Sequence, residues 1–165
     1  MTHLEPIIHI RKVEEKDNKA LAAIIRNSLE EFDANKPGTV YFDATTDTMH
    51  ENFQVKNATY FVLEEDGQLA GGCGFYPTEG LPPDTCELVK MYLGTEYRKK
   101  GYGQLLLDKS IAEAKLAGYS SIYIETLPEL KNAIELYKKN GFHFIEKPLG
   151  NSGHTGCDVW MLKNI

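Results

Sequence analysis

The chain has 165 residues, 42% of them hydrophobic, and a formal net charge of −6 at pH 7. This length and composition predict a single domain, residues 1–165, with its own core. The acidic balance argues against a nucleic-acid binder, which needs a basic face to neutralise phosphates. Residues 1–6 show no signal-peptide pattern, and no apolar run approaches membrane-spanning length. We therefore expect a soluble, cytoplasmic protein with neither nucleic acid nor membrane as a partner.

The chain has three cysteines, Cys73, Cys86 and Cys157, which form an odd and widely spaced set. This argues against a disulfide framework and against a Cys-x-x-Cys zinc site. His154 and Cys157 have a spacing that two metal ligands could use, but no second pair accompanies them. We expect no metal site.

Apolar residues recur with strand and helix periods along the chain. The predicted strands cover residues 7–13, 59–64, 68–76, 87–93, 121–126, 142–146 and 158–163. The predicted helices are one with the apolar stripe Leu21, Ile24, Ile25, Leu29 and Phe32, a short one within 48–55, and two over 104–117 and 132–140. We expect Asp17 to cap the first helix, Asp66-Gly67 to turn a hairpin and Gly118 to end the third helix. The rest of residues 33–57 has no clear pattern.

A basic turn, Arg98-Lys99-Lys100-Gly101-Tyr102-Gly103, separates a predicted strand from a predicted helix. The first N–H groups of a helix have no partner within it and lie at the positive end of its dipole, so an anion fits there. Gly101 and Gly103 lack a Cβ, which lets a phosphate approach the backbone. Gln104-Leu105 follow where a P-loop needs Lys and Ser or Thr, and Leu106 stands where a dinucleotide fingerprint needs glycine. A short diphosphate turn and a solvated charged turn remain as alternatives.

The order of elements and two motifs resemble the GNAT acetyltransferase superfamily over nearly the whole chain. The matched residues are Arg98, Gly101 and Gly103 of the diphosphate motif [QR]-x-x-G-x-[GA], and Asn132, Tyr137, Gly141 and Phe142 of the segment after the family's fifth strand. Residues 148–161 look like those of a bacterial subset to which we can assign no substrate. The resemblance implies an α/β domain whose mixed, mostly antiparallel sheet is splayed at its centre and flanked by helices.

The same resemblance implies acetyl-CoA as donor, without a metal, and an amine as acceptor, brought together for direct transfer. The pantetheine arm would pair with the opened backbone of the fourth strand, where the N–H near Met91 would stabilise the oxyanion. The pyrophosphate would lie on the N–H groups of residues 99–104. The implied cofactor-binding residues are Met91, Tyr92, Leu93, Arg98, Lys99, Lys100, Gly101, Tyr102, Gly103, Gln104 and Asn132.

Tyr137 is the residue matched to protonation of the departing CoA thiolate. A phenol has an ordinary pKa of about 10 and carries its proton at neutral pH, so it is the group that could offer a proton to the departing thiolate, whose thiol has an ordinary pKa of about 8.5. The alternative is a core tyrosine whose hydroxyl finds a backbone partner.

Glu87 is the first choice for the base that deprotonates the amine, directly or through a water, because it is a carboxylate beginning an otherwise apolar strand. A solvated carboxylate at the strand end is the alternative. His154 is the second choice, in a glycine-rich loop over 150–158 that we expect to shape the acceptor pocket. Cys157 could instead be a nucleophile for acyl transfer through the enzyme, a route that departs from the family's direct transfer.

These residues predict an acetyl-CoA-dependent N-acetyltransferase acting on a small-molecule amine or a peptide amine. The alternative from another class is a non-catalytic acyl-CoA sensor or regulatory module that keeps the diphosphate turn without turnover. The prediction is compatible with a homodimer.

Overall fold

The structure is a computed structural model that describes residues 4–165. Residues 1–3, which open the segment without a signal-peptide pattern, lie outside the described residues. The strands are β1 (Ile8–Lys12), β2 (Thr59–Glu65), β3 (Gln68–Tyr76), β4 (Thr85–Leu93), β5 (Ser121–Thr126), β6 (His143–Ile145) and β7 (Val159–Asn164). The helices are α1 (Asn18–Glu31), α2 (Met49–Asn52), α3 (Tyr102–Leu116) and α4 (Lys131–Lys139). Across residues 4–165, every helix falls short of the length and apolarity needed to span a bilayer.

All seven strands belong to one sheet, in the order β1-β2-β3-β4-β5-β7-β6. Neighbouring strands are antiparallel except β4 and β5, which run parallel. A parallel pair needs a crossover connection, and α3 supplies it. The predicted mixed, mostly antiparallel sheet flanked by helices is confirmed.

The run Tyr60-Phe61-Val62-Leu63 of β2 shows how the core is divided between the two faces of the sheet. All four residues are at most 2% exposed, and successive strand residues point to opposite faces. Tyr60 and Val62 pack in the core that α1 and α2 build, whereas Phe61 and Leu63 pack in the core that α3 builds. Helices therefore cover the sheet on both sides, and a continuous apolar run is the expected pattern for such a strand.

The turns at the ends of β2 and α3 follow the glycine signals. Asp66 and Gly67 both have positive φ, 50° and 78°, as the type I′ turn of a tight hairpin requires. Gly118, with φ of 98°, follows the end of α3. Residues 33–57, which show no clear pattern in sequence, form short 3₁₀ turns at Val40–Phe42 and Ala44–Asp47 before α2.

The Asp17 side chain has a different role from the predicted helix cap. It accepts two hydrogen bonds from the Arg11 guanidinium, at 2.7 and 2.9 Å, and one from the Glu14 N–H at 2.8 Å. It makes no capping bond to α1 and closes instead the 3₁₀ turn Glu15–Asp17 before it. Asp17 stands at the predicted N-cap position of α1, but the predicted capping by its side chain is wrong, because the nearby guanidinium offers a charge-assisted bidentate partner that is stronger than a lone N–H.

Candidate active site

The predicted splay lies between β4 and β5. The residue pairs that join these two strands are Thr85–Ser121, Cys86–Ile122 and Glu87–Tyr123. Beyond them, β4 continues to Leu93 and β5 to Thr126 without pairing to each other. A cavity of about 50 Å³, which we call the inner pocket, lies where the strands separate and is also lined by His154 and Cys157. The opened edge of β4 is therefore available to a ligand.

β4 also bulges where it pairs with β3. The register shifts between Gly72 and Gly74, which places two residues, Lys90 and Met91, opposite Cys73 alone. Lys90 has a φ of 52°, a value that non-glycine residues seldom adopt. The bulge therefore redirects the backbone at the position from which the Met91 N–H is predicted to bind the oxyanion.

Tyr60 stabilises this bulge from β2, which lies on the far side of β3 in the sheet. Its hydroxyl donates a 2.7 Å hydrogen bond to the carbonyl of Lys90. A Cβ at Gly72 would lie 2.5 Å from a Tyr60 ring atom, and one at Gly74 would lie 2.7 Å from another. These glycines leave room for the ring, and glycine within a strand is the sequence signal that could have located the bulge.

Six consecutive backbone N–H groups, from Lys99 to Gln104, donate to no acceptor in the described part of the chain. The first N–H of the segment to bond is that of Leu105, which donates to the Gly101 carbonyl at 3.2 Å. Lys99 and Gly101 both have positive φ, 61° and 84°. Residues with positive φ that alternate with a residue of ordinary φ turn successive N–H groups to one side, and these groups then form a concavity that binds anions.

The two glycines of this turn have different environments. A Cβ at Gly101 would meet nothing within 4 Å, so its positive φ is the reason for glycine there. A Cβ at Gly103 would lie 3.2 Å from Cδ2 of Leu136 on α4. Gly103 therefore stands where α3, α4 and the free N–H groups come together.

The Arg98 side chain is bound to α1 and β4. Its guanidinium donates to the Leu93 carbonyl at 3.1 Å, to Oγ of Ser28 at 3.1 Å and to Glu31 at 2.8 Å. It also lies over the Phe32 ring, 4.8 Å from the centroid. Arg98 thus fastens the start of the turn to the rest of the fold.

The two lysines of the turn differ in whether they are paired with a carboxylate. Lys100 donates to both carboxylate oxygens of Glu65 at 2.9 Å, and the hydroxyl of Tyr102 also donates to Glu65. Lys99 is exposed and forms no ion pair with a described residue. Of the three predicted positive charges, the one on Lys99 lacks a carboxylate partner within the described structure.

α4 carries two residues of the second motif, Asn132 and Tyr137. Asn132 is exposed in its first turn, and its amide donates to no described residue. Tyr137 is 5% exposed and packs against Phe142 with ring centroids 5.7 Å apart. Reciprocal amide bonds between Gln104 and Asn140, at 2.8 and 2.9 Å, tie α4 to the start of α3.

The Tyr137 hydroxyl donates no hydrogen bond to any residue within 4–165, so the structure does not give it the backbone partner that a purely structural core tyrosine would find. Burial raises its pKa well above the ordinary value, and the neighbouring Cys73 and Tyr92 act in the same direction. Tyr137 is therefore protonated throughout the physiological pH range.

Glu87 lies at the point where β4 and β5 separate. It is 4% exposed and accepts a 2.8 Å hydrogen bond from Oγ1 of Thr78. Burial raises the pKa of Glu87 to about 8, the Thr78 hydrogen bond opposes the shift, and the charge of Glu125 adds to it. The alternative of a solvated strand-end carboxylate does not fit this burial. A carboxylate with a pKa near neutrality suits a general base.

A second cavity, which we call the outer cleft, adjoins the inner pocket. Its volume is about 410 Å³. The walls come from residues 43–53, from the end of β3 and the loop after it, and from Asn151 and Ser152. Glu87, Val89 and Lys90 line both cavities. Glu87 is therefore placed between the opened strand edge and a cleft of the size that small-molecule ligands occupy.

His154 and Cys157 both reach the inner pocket. Nε2 of His154 lies 2.9 Å from Oδ2 of Asp43. Burial alone would raise the pKa of Asp43, but hydrogen bonds from His154 and Thr45 lower it to about 2. Burial raises the pKa of the Cys157 thiol to about 12, so Cys157 is a poor nucleophile.

One group of side chains could be considered for a metal ion. Glu87, Glu125 and His154 each offer a ligand atom, and these atoms lie within 4.8 Å of one another. The carboxylates already accept hydrogen bonds, at Glu87 from Thr78 and at Glu125 from Ser152 at 2.5 Å. The absence of a metal stays a prediction.

The sequence pattern of the acetyltransferase (GNAT) family matches residues 22–142. The match includes β4, the turn before α3 and the whole of α4. The chain belongs to the acetyltransferase (GNAT) family. The family assignment agrees with the resemblance seen in the sequence and makes the chain an acyltransferase, which favours a catalyst over a non-catalytic sensor.

Individual relatives agree with this assignment. The chain is 35% identical over 158 residues to the uncharacterized N-acetyltransferase YjgM of Escherichia coli K12, and the alignment covers 94% of each. Its fold is similar to a GNAT-family acetyltransferase of Staphylococcus aureus Mu50, with a TM-score of 0.82, 21% identity and coverage of 96% and 99% of the two chains. It is also similar to the PaiA N-acetyltransferase of Thermoplasma acidophilum, solved with coenzyme A, with a TM-score of 0.75, 21% identity and the same coverage.

Proposed function

We propose that this protein transfers an acetyl group from acetyl-CoA directly to an amine held in the same complex. The observation that carries the proposal is the position of the buried Glu87 at the junction of the opened β4 edge and the outer cleft. In this position Glu87 would act as a base between a donor bound along β4 and an acceptor bound in the outer cleft. The acetyltransferase family and the coenzyme A in PaiA support acetyl-CoA as the donor.

The donor would bind mainly through backbone groups. Its pyrophosphate would accept hydrogen bonds from the free N–H groups of Lys99–Gln104, at the positive end of the α3 dipole. Its pantetheine would run along the opened edge of β4 at Met91, Tyr92 and Leu93 and reach the exposed amide of Asn132. Because backbone N–H groups do the binding, no dedicated lysine is required.

The reaction would use three groups of the protein, namely Glu87, the N–H near Met91 and Tyr137. The neutral amine nitrogen bonds to the thioester carbon, and Glu87 accepts the proton that this nitrogen loses as the amide forms. The N–H near Met91 stabilises the negative charge that develops on the carbonyl oxygen. The carbon–sulfur bond breaks, and CoA departs as a thiolate.

Tyr137 would stabilise this thiolate chiefly as a hydrogen-bond donor. Its pKa is raised well above 10, whereas that of a free thiol is about 8.5. Complete proton transfer from the phenol to the thiolate is therefore uphill, in contrast to the simple acid role inferred from the sequence. A hydrogen bond from the neutral phenol stabilises the developing charge without that transfer.

Calorimetry with acetyl-CoA, on protein treated with a chelator, tests donor binding without a metal. A panel of primary amines, followed by release of CoA, then tests transfer. We expect acetyl-CoA to bind and at least one class of amine to release CoA. Failure to bind acetyl-CoA would contradict the donor site, and tight binding without turnover of any amine would contradict the catalytic proposal.

A further inference from the structure

The outer cleft contains a lysine that has no carboxylate partner. Lys90 is half-buried, and its Nζ donates a 3.0 Å hydrogen bond to Oγ1 of Thr45. No carboxylate within the described residues lies within 4.0 Å of this nitrogen. A partly buried cation that is not directly paired with a carboxylate is unfavourable, so its position in a ligand-sized cleft calls for an explanation.

The bulge in β4 is what turns Lys90 toward the cleft. In a regular strand, Glu87 and Val89 share one face of the sheet and residue 90 faces the other. Here Glu87, Val89 and Lys90 all line the same two cavities. The extra residue of the bulge and the positive φ of Lys90 account for this change of side. Backbone strain of this kind persists where surrounding contacts impose it and is common at functional sites.

The carboxylates around the cleft are already engaged. Asp43 lies 2.9 Å from His154, and Glu125 accepts a 2.5 Å hydrogen bond from Ser152. Glu87 has a pKa of about 8, so it is largely uncharged at neutral pH before an amine arrives. Among the described residues that line the cleft, Lys90 is the one basic residue, and its ammonium is hydrogen-bonded to a neutral hydroxyl rather than to a carboxylate.

Two further carboxylates lie near the cleft. Asp47 is bound to both terminal nitrogens of Arg26, at 2.5 and 2.9 Å. Glu79 is exposed to solvent at the edge of the cleft. Burial lowers the pKa of Lys90, while Asp43 and Glu87 oppose the shift. An anionic group beside Lys90 would restore its charge and complete its contacts.

We propose that the acceptor is a small amine that also carries a carboxylate, an amino acid in the broad sense, and that Lys90 binds the carboxylate while the amine faces Glu87. This inference rests on the proposed acetyl transfer. The cleft volume of about 410 Å³ suits a molecule of this size. The Thr45 hydroxyl, already bonded to Lys90, is placed to support the same carboxylate.

The test compares matched acceptors that differ in one group. Free amino acids, their amides and the corresponding decarboxylated amines are assayed with acetyl-CoA, with the wild type and with Lys90→Met, which keeps most of the aliphatic stem and removes the charge. For the wild type we expect kcat/KM at least about tenfold higher with the acid than with its amide, the size of one hydrogen bond between charged groups. Lys90→Met should reduce this acid-to-amide ratio at least tenfold, through the KM of the acid, and Lys90→Arg should restore part of it.

Three controls separate the outcomes. Acetyl-CoA affinity, by calorimetry, and thermal unfolding show whether Lys90→Met has damaged the donor site or the fold. If the wild type prefers amides or simple amines, the inference about Lys90 is overturned and acetyl transfer still stands. The same holds if Lys90→Met has the same acid-to-amide ratio as the wild type. Intact-mass detection of acetylated Lys90 during turnover would also overturn it, because the lysine would then be an acceptor itself. Absence of acetyl-CoA binding would instead refute the proposed function.

Discussion

The turn before α3 and the outer cleft are built in opposite ways. The turn uses consecutive residues, 98–104, and offers backbone N–H groups whose direction follows from local φ values. The cleft uses side chains from residues 43–53, from β4 and from the loop at 151–152, which meet only in the folded chain. A site made of consecutive backbone groups leaves a readable motif, whereas a site made of distant side chains does not.

The two regions also differ in whether their charged side chains are already paired within the protein. In the turn, Arg98 and Lys100 are occupied by Glu31 and Glu65, and the backbone is left to bind the ligand. In the cleft, Glu87 and Lys90 keep the capacity to interact with an incoming molecule. Substitutions in the turn should therefore alter donor affinity, and substitutions around the cleft should alter turnover and acceptor choice.

Substitution of Glu87 should have the largest effect on turnover. Glu87→Gln removes the base and keeps the size and the Thr78 hydrogen bond, so kcat should fall by about 10²- to 10⁴-fold. In the wild type the rate should rise with pH and level off above about 8, because the base must be deprotonated. Initial rates from pH 6 to 9 test this, and the rise should be absent in Glu87→Gln.

Stability provides an independent check on Glu87. Its pKa of about 8 in the folded protein lies above the ordinary 4.5, so between these values the folded state binds more protons than the unfolded state. The free energy of unfolding should therefore fall as pH rises through this range. Glu87→Gln should weaken that dependence, while Glu135→Gln, which removes an exposed carboxylate on α4, should not. Equal pH dependence in wild type and Glu87→Gln would contradict the buried, protonated state.

Tyr137→Phe should have the next largest effect. It removes one oxygen and keeps the ring packing, so turnover should fall by about 10²-fold, the size expected for losing one hydrogen-bond donor to a developing charge. The loss should be nearly constant from pH 6 to 9, because a phenol with a raised pKa stays protonated there. Acetyl-CoA affinity should change little.

Tyr119→Phe is the matched control, since Tyr119 is also buried but its hydroxyl donates to the Asn57 carbonyl at 2.8 Å, away from both cavities. Turnover of Tyr119→Phe should stay near the wild-type value. If Tyr137→Phe retains full rate at every pH, Tyr137 is a packing residue.

Gly103→Val tests the turn directly. A branched side chain between the free N–H groups and Leu136 should keep the pyrophosphate away from the backbone. The loss of one charge-assisted hydrogen bond alone weakens affinity about tenfold or more. Calorimetry on the folded variant measures this, with Leu105→Val as the control at an exposed position of the same helical turn. Equal affinities for acetyl-CoA in Gly103→Val and wild type would exclude the turn as the diphosphate site.

His154→Ala should affect the acceptor more than the donor. The variant removes the hydrogen-bond partner of Asp43 and one side chain from the wall of the inner pocket. We expect the KM of the acceptor to rise by about 2- to 10-fold, the size of one ordinary hydrogen bond. Loss of acetyl-CoA binding with the fold intact would place this loop in the cofactor site.

The smallest effects should distinguish the two basic residues at the start of the turn. Arg98→Met should lower the free energy of unfolding by about 1–3 kcal/mol, because its guanidinium joins Leu93 to Ser28. Lys99→Met should leave stability unchanged and weaken acetyl-CoA binding by up to about fivefold, as expected for one exposed charge. Added salt should abolish the second effect. A strong effect of Arg98→Met on acetyl-CoA affinity alone would contradict its structural role.

Local rules were sufficient for most of the fold and for the turn. Apolar periodicity located every strand and the longer helices to within about two residues, and the glycines at 67 and 118 marked turns that do have positive φ. The two motifs identified the family, which the family pattern over residues 22–142 confirms. These features depend on neighbours in sequence, and the sequence contains that information directly.

Tertiary structure alone decided which polar groups are free. The Asp17 side chain was expected to cap a helix but binds Arg11, and two of the three positive charges of the turn are paired with carboxylates of α1 and β2. The bulge that brings Lys90 to the side of Glu87 depends on the fit of the Tyr60 ring between two glycines of the adjacent strand. Partners far apart in the chain set the burial and the counter-charge of a side chain. A residue's identity therefore shows what it can do, while its surroundings in the fold decide whether it is available to do it.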